Sequence, residues 1–143
     1  SGWACDVRKR SPYAAYDKVQ FDEVLYNEGD SYARYMVRMK EIEQSLHILE
    51  QLVDNIPEGD YLAKTKPIIK VPEGRYFKEV EAARGAFGIY LESRGDKFPY
   101  RLKVNSPGFN LVGAVDHMTR GSKIADLIAI GGSLDYVVPD IDR

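Results

Sequence analysis

The chain has 143 residues, 44% of them hydrophobic and 29% charged, the balance of one globular domain that could bury roughly 70% of its extended-chain surface. Its net charge of -2 excludes a general nucleic-acid binder, because neutralising several phosphates takes a clear excess of Lys and Arg. Cys5 is the only cysteine, which excludes an internal disulfide or a thiolate cluster made by this chain alone and fits a reducing compartment; no apolar run approaches the about 20 residues that span a bilayer.

The start at Ser1, with neither a methionine nor a charged-then-apolar leader, reads as that of a fragment of something longer. Residues 1–30 hold no sustained period. Tyr13, Tyr16 and Tyr26 alternate with Pro12, Asp17, Asp22, Asn27 and Gly29, which predicts an irregular arm whose aromatics pack either on another surface or on their own domain.

Asp30 or Ser31 can cap a helix, and Tyr35, Met39, Ile42, Leu46, Leu49, Val53 and Ile56 then recur at spacings of four and three. This predicts one long helix over 31–56, with Met36, Ile48 and Leu52 widening the stripe as bundle packing would require. Pro57-Glu58-Gly59 stops it. Alternation then predicts strands at 78–83, 86–92 and 100–104, joined at Arg84-Gly85 and Gly95-Asp96 into an antiparallel meander over 75–105.

Past Pro107-Gly108, two short helices are expected, from about Asn110 to Thr119 and from Ser122 to Ile130, with Ser122 as cap and Ile124, Leu127 and Ile128 facing inward. Gly131-Gly132 should end the second helix, and Pro139 should exclude further helix, leaving an extended tail. The whole is an α+β fold, a single C-terminal fragment of a larger subunit divided into an arm, a long helix, a β-meander and a region of short helices and tail over 107–143.

No nucleophile elbow, P-loop, dinucleotide fingerprint, zinc-protease helix or calcium loop is present, so the chain holds no familiar catalytic centre of its own. Asp116-His117 are helix neighbours that point apart, and Glu79 and Glu81 read most simply as a charged sheet face. The tail, with Asp135, Asp140, Asp142 and Arg143, and the Arg84-Gly85 turn remain as candidates. On composition alone the tail could equally be a solvated coil.

Three stretches together resemble one family. They are Glu28-Gly-Asp-Ser-Tyr-Ala-Arg-Tyr-Met-Val-Arg-Met; Glu81-Ala-Ala-Arg-Gly-Ala-Phe-Gly-Ile-Tyr-Leu with Pro99-Tyr-Arg-Leu-Lys; and Ser106-Pro-Gly-Phe, Ile124-Ala-Asp, Gly132-Ser-Leu-Asp-Tyr and Asp140-Ile-Asp-Arg. Their order and spacing resemble the C-terminal third of the D subunit of NADH-quinone oxidoreductase, the respiratory complex I chain that is like the large subunit of nickel-iron hydrogenases. The resemblance implies a peripheral-arm subunit beside the small iron-sulfur subunit, with the head of the quinone pocket between the two and a membrane-arm subunit at the quinone entrance.

It further implies that the tail folds into that pocket through Asp135, Val137 and Arg143, with Asp135 orienting Arg143 and Val137 forming an apolar wall. Quinone is then the substrate. Iron-sulfur cluster, flavin and NADH belong to partner subunits, no cofactor or metal is held by this chain, and the fragment is not active alone. For a bacterial protein the implied place is the cytoplasmic face of the inner membrane.

Some positions depart from the family pattern: Ala83 replaces a common proline, Ala86 a common glutamate and Ser122 a histidine. Ala86 is also the hydrogenase form, but the tail lacks the cysteine pair that a nickel site requires, and Arg84 is the candidate for lining a vestigial site. The alternative to the quinone-site reading is a structural docking module for neighbouring subunits.

Overall fold

A computed structural model describes residues 2–142. Its order is α1 (Val7–Arg10), α2 (Ser31–Val53), β1 (Gly74–Ala82), β2 (Gly85–Ser93), β3 (Arg101–Asn105), α3 (Pro107–Gly113), α4 (Val115–Thr119), α5 (Asp126–Leu134) and α6 (Val138–Ile141). The fold is α+β, built on a three-stranded antiparallel sheet in the order β1-β2-β3.

The arm packs on its own domain. Backbone groups of an extended segment need partners, and two glutamines of α2 supply them. The Gln51 side chain accepts from Gln20 N at 2.9 Å and donates to Gln20 O at 2.7 Å, while Gln44 Oε1 accepts from Asp22 N at 2.9 Å. These glutamines lie seven residues apart, two turns along one helix face. Phe21 and Val7 are buried, and Tyr13 and Tyr16 meet edge to face at 5.0 Å. Toward the sheet, the Tyr13 hydroxyl accepts from Glu81 N and the Tyr16 hydroxyl donates to the Glu81 carboxylate, both at 3.1 Å.

Asp30 is the N-cap of α2, its carboxylate accepting from Ala33 N at 2.7 Å. The helix ends at Val53, so Ile56 lies beyond it. The periodic seam lies on the side away from the arm: Tyr35, Met39, Ile42, Leu46, Leu49 and Val53 are all exposed, and Ala33 and Ile48 are the residues that α2 buries. The expected bundle packing is therefore not made among the described residues. The arm claims the opposite face through the glutamines and Ile48, and a helix cannot turn both faces to one neighbour.

The pairing Tyr76↔Leu91↔Leu102 sets one sheet face, and Arg75↔Glu92↔Arg101 sets the other. The arm lies on the second, where Arg10 reaches Glu79 at 2.7 Å. On the apolar face Tyr76, Ile89 and Leu102 stay largely exposed.

The C-terminal third departs from expectation in detail. In place of one helix over 110–119, α3 starts at Pro107, whose missing N–H costs nothing in a first turn, and the chain breaks at Ala114 before α4. The next helix begins at Asp126 and runs through Gly131-Gly132 to Leu134. Ser122 does not cap it; the Asp126 carboxylate instead accepts from Lys123 N at 2.9 Å. Ile124, Leu127 and Ile128 are exposed, and Ser133 and Leu134 are the residues that α5 buries. What ends α5 is Asp135 in the left-handed conformation, φ 55°. Pro139 does not exclude helix either: it sits in the first turn of α6, where proline is tolerated, so the tail is a turn and a short helix rather than extended chain.

Candidate functional site

The β1–β2 turn places Arg84 at the tip of the hairpin, and the end of α5 brings Asp135 to meet it. Arg84 Nε donates to the Asp135 carbonyl at 2.6 Å and lies 3.3 Å from the carboxylate Oδ2. The guanidinium thus grips backbone and side chain of one residue held at positive φ. Both side chains keep partial solvent access, 35% and 45%.

Two further contacts fix the tail around this pair. From α2, Arg34 Nε donates to Ser133 Oγ at 2.9 Å while its other nitrogens donate to Gly29 O and Ser31 Oγ, so α5 is tied to the start of the long helix. From α6, the Asp140 carboxylate accepts from Gly108 N at 3.1 Å. Val137, half-buried, lies between the Arg84 and Asp140 anchor points as the N-cap residue of α6. Arg143 lies outside the described residues. The Asp135 carboxylate, expected to orient it, is engaged by Arg84.

Arg84 and Asp135 sit at one end of a cavity of about 620 Å³ between the arm, α2, the hairpin tip and the end of α5. Lining the same cavity, Arg8, only 8% exposed, is held by Asp6 through Nη2 to Oδ2 at 2.6 Å and Nε to both carboxylate oxygens. Burial alone would push the Asp6 carboxyl up, but the hydrogen bonds and charge of Arg8 together hold it below the usual value. Glu41, lining the same cavity, is pushed up by the desolvation of its surroundings despite the attraction of Arg8. Burial pushes the Tyr16 hydroxyl up to about 12, helped by its bond to Glu81. Desolvation lowers the Arg34 guanidinium.

Arg84 and Asp135 are brought together, while Val137, two residues further along, does not line the cavity. Arg34, Ser133 and the Asp6–Arg8 pair escaped sequence reasoning. The Asp-x-Arg spacing at 6–8 was visible, but nothing in it foretold that the arginine would be buried.

The hairpin tip, the start of the long helix and a short C-terminal helix meet around an arginine–aspartate pair in an α+β fold. Comparison with known proteins gives it a family: the family model described as respiratory-chain NADH dehydrogenase, 49 Kd subunit, matches residues 1–70 and 65–143, and the chain belongs to that family. It is 67% identical over its whole length to the C/D subunit of NADH-quinone oxidoreductase from Phocaeicola vulgatus and 69% identical to that from Bacteroides fragilis. It spans 28% and 27% of those proteins. The D subunit of the Desulfotalea psychrophila enzyme is 55% identical, with 39% of its length covered. Among solved structures, a chain of the membrane-bound sulfane sulfur reductase, an archaeal respiratory membrane complex, superposes with a TM-score of 0.90 at 41% identity, covering all of this chain and 40% of that one.

Proposed function

We propose that this chain is the C-terminal segment of the peripheral-arm subunit of a proton-translocating, quinone-reducing oxidoreductase, and that its tail forms part of the quinone pocket beside an iron-sulfur small subunit. The observation that carries the reading is the Arg84–Asp135 clamp at one end of a 620 Å³ cavity, in a chain 67% identical to a protein named for quinone reduction. The electron donor is NADH or ferredoxin, and the electrons arrive through iron-sulfur clusters, with flavin where NADH is used, on partner subunits.

Reducing a quinone to a quinol takes two electrons and two protons, and negative charge builds on the ring oxygens before the protons arrive. An arginine fixed at the pocket wall stabilises that charge, most effectively where water is partly excluded. Arg84 has this quality, because its grip on the Asp135 carbonyl removes the rotamer freedom it would otherwise lose on binding. Val137, on the tail just past Asp135, is proposed to add apolar wall where the pocket continues beyond this cavity. Arg143 is proposed to add a second positive charge to the pocket. Arg143→Ala should then lower quinone reduction and weaken inhibitor sensitivity in the assembled complex, and unchanged behaviour in both assays would remove it from the site.

No helix among the described residues is long and apolar enough to cross a membrane. The proposed place is peripheral, on the cytoplasmic face of the membrane and against a membrane-arm subunit at the quinone entrance. The exposed α2 seam favours a docking role alongside the pocket. Affinity purification of the native complex tests both readings: an iron-sulfur small subunit among the partners supports the assignment, and its absence from an intact, active complex contradicts it.

A further inference from the structure

We propose that Asp140 is a positioning residue for the quinone-site tail and that the start of α3 is its seat. The inference rests on the proposed role of the tail. The segment from Asp135 to Asp140 is held at both ends by different parts of the fold. Arg84 grips the Asp135 carbonyl at 2.6 Å, and the Gly108 N–H donates to Asp140 Oδ2 at 3.1 Å. Val137 rides between them.

The seat is built for close approach. Ser106, with no solvent exposure, caps α3, and its hydroxyl also receives the Gly108 N–H at 3.3 Å. A Cβ on Gly108 would stand 2.5 Å from Asp140 Oδ2 and 3.2 Å from Ile141 Cγ1, so any larger residue must displace the Asp140 carboxylate from its seat. The same wall reaches the clamp: a Cβ on Gly85, next to Arg84 and at φ +136°, would stand 3.2 Å from Pro107 Cβ. Hairpin tip, helix start and tail thus share one surface.

Asp140 touches no reacting atom in this arrangement. It acts through the path of the tail between its two anchors, so its loss should loosen quinone binding more than turnover.

The test uses the full-length protein in its assembled membrane complex, with a short-chain quinone analogue as substrate and activity counted per complex. Asp140→Ala and Gly108→Ala should each raise KM for the quinone about tenfold, as loss of a charge-assisted hydrogen bond does, with kcat within about twofold. Asp140→Asn keeps an acceptor oxygen and should restore KM to within about twofold of the natural value. The double variant should be no worse than either single one, because both remove the same contact. An unchanged KM in Asp140→Ala, where Asp135→Ala does impair quinone reduction, overturns the positioning role and leaves the tail in the pocket. Fewer assembled complexes with a normal KM, not rescued by Asp140→Asn, overturns it as well. If Asp135→Ala and Arg84→Ala are also without effect, the pocket assignment falls and this inference falls with it.

Discussion

Arg8, in the arm, is almost wholly buried with Asp6 clasped to it, Nη2 to Oδ2 at 2.6 Å, while its next acid, Glu81, stands 3.9 Å away. The pair lies within the arm and lines the cavity, and of the two only Arg8 approaches the sheet, at Glu81. Breaking a buried pair from one side leaves an uncompensated charge, which costs about 3 kcal/mol or more. Asp6→Ala should therefore destabilise the protein by about that much, measured by denaturant unfolding. The pH dependence has a defined sign. Because the Asp6 carboxyl is held below its ordinary value, its contribution is present above the unfolded carboxylate pKa and is lost as pH falls through the lower folded one. Asp6→Asn should flatten that acid limb.

Tyr16 gives the opposite limb. With its hydroxyl pushed up to about 12 by burial and by Glu81, the folded state keeps the proton where an unfolded tyrosine would lose it. Stability from this group is complete below about pH 10 and disappears as pH rises toward 12. Tyr16→Phe should cost about 1 kcal/mol at neutral pH for the lost hydrogen bond. Ultraviolet titration should show one fewer late-ionising tyrosine.

Two neighbours on α2 should respond differently. Ile48 is 7% exposed and Leu49 is 61% exposed. Ile48→Ala should destabilise the fold by about 2 kcal/mol, toward the lower end of core truncations because a cavity already adjoins it. Leu49→Ala should change stability by less than about 0.5 kcal/mol. Thermal denaturation of the two variants separates them; equal losses would mean that the seam is buried and that the assignment of faces is wrong.

Much of this architecture is legible in the sequence, for reasons that differ by element. The third strand alternates cleanly from Tyr100 to Val104, and β1 and β2 meet at the turn marked by Arg84-Gly85, so their pairing follows from local pattern. The existence of α2 follows from its spacing, but its burial does not. Periodicity reports a stripe, and which stripe is covered depends on Gln44 and Gln51 binding the backbone of the arm, polar contacts that hydrophobic spacing cannot register. The C-terminal helices misled in another way. Gly131-Gly132 and Pro139 are breakers by propensity, yet the first two continue a helix and the third opens one, because position within the turn decides what each residue costs. Resemblance named Asp135, Val137 and Arg143 for the tail and Arg84 for a separate, vestigial site. That Arg84 and Asp135 touch each other, 51 residues apart in sequence, was not legible at all.

The central claim is that the Arg84–Asp135 clamp belongs to the quinone pocket. The most direct test is quinone reduction by the assembled complex carrying Arg84→Ala or Asp135→Ala, measured beside electron transfer to an artificial acceptor that needs no quinone site. Removing the Arg84 charge that stabilises a developing oxyanion should lower quinone reduction by about a hundredfold; Asp135→Ala, which only loosens that arginine, should lower it less, and both should leave the artificial reaction within about twofold. Quinone reduction at the natural rate in both variants, in fully assembled complex, would contradict the account.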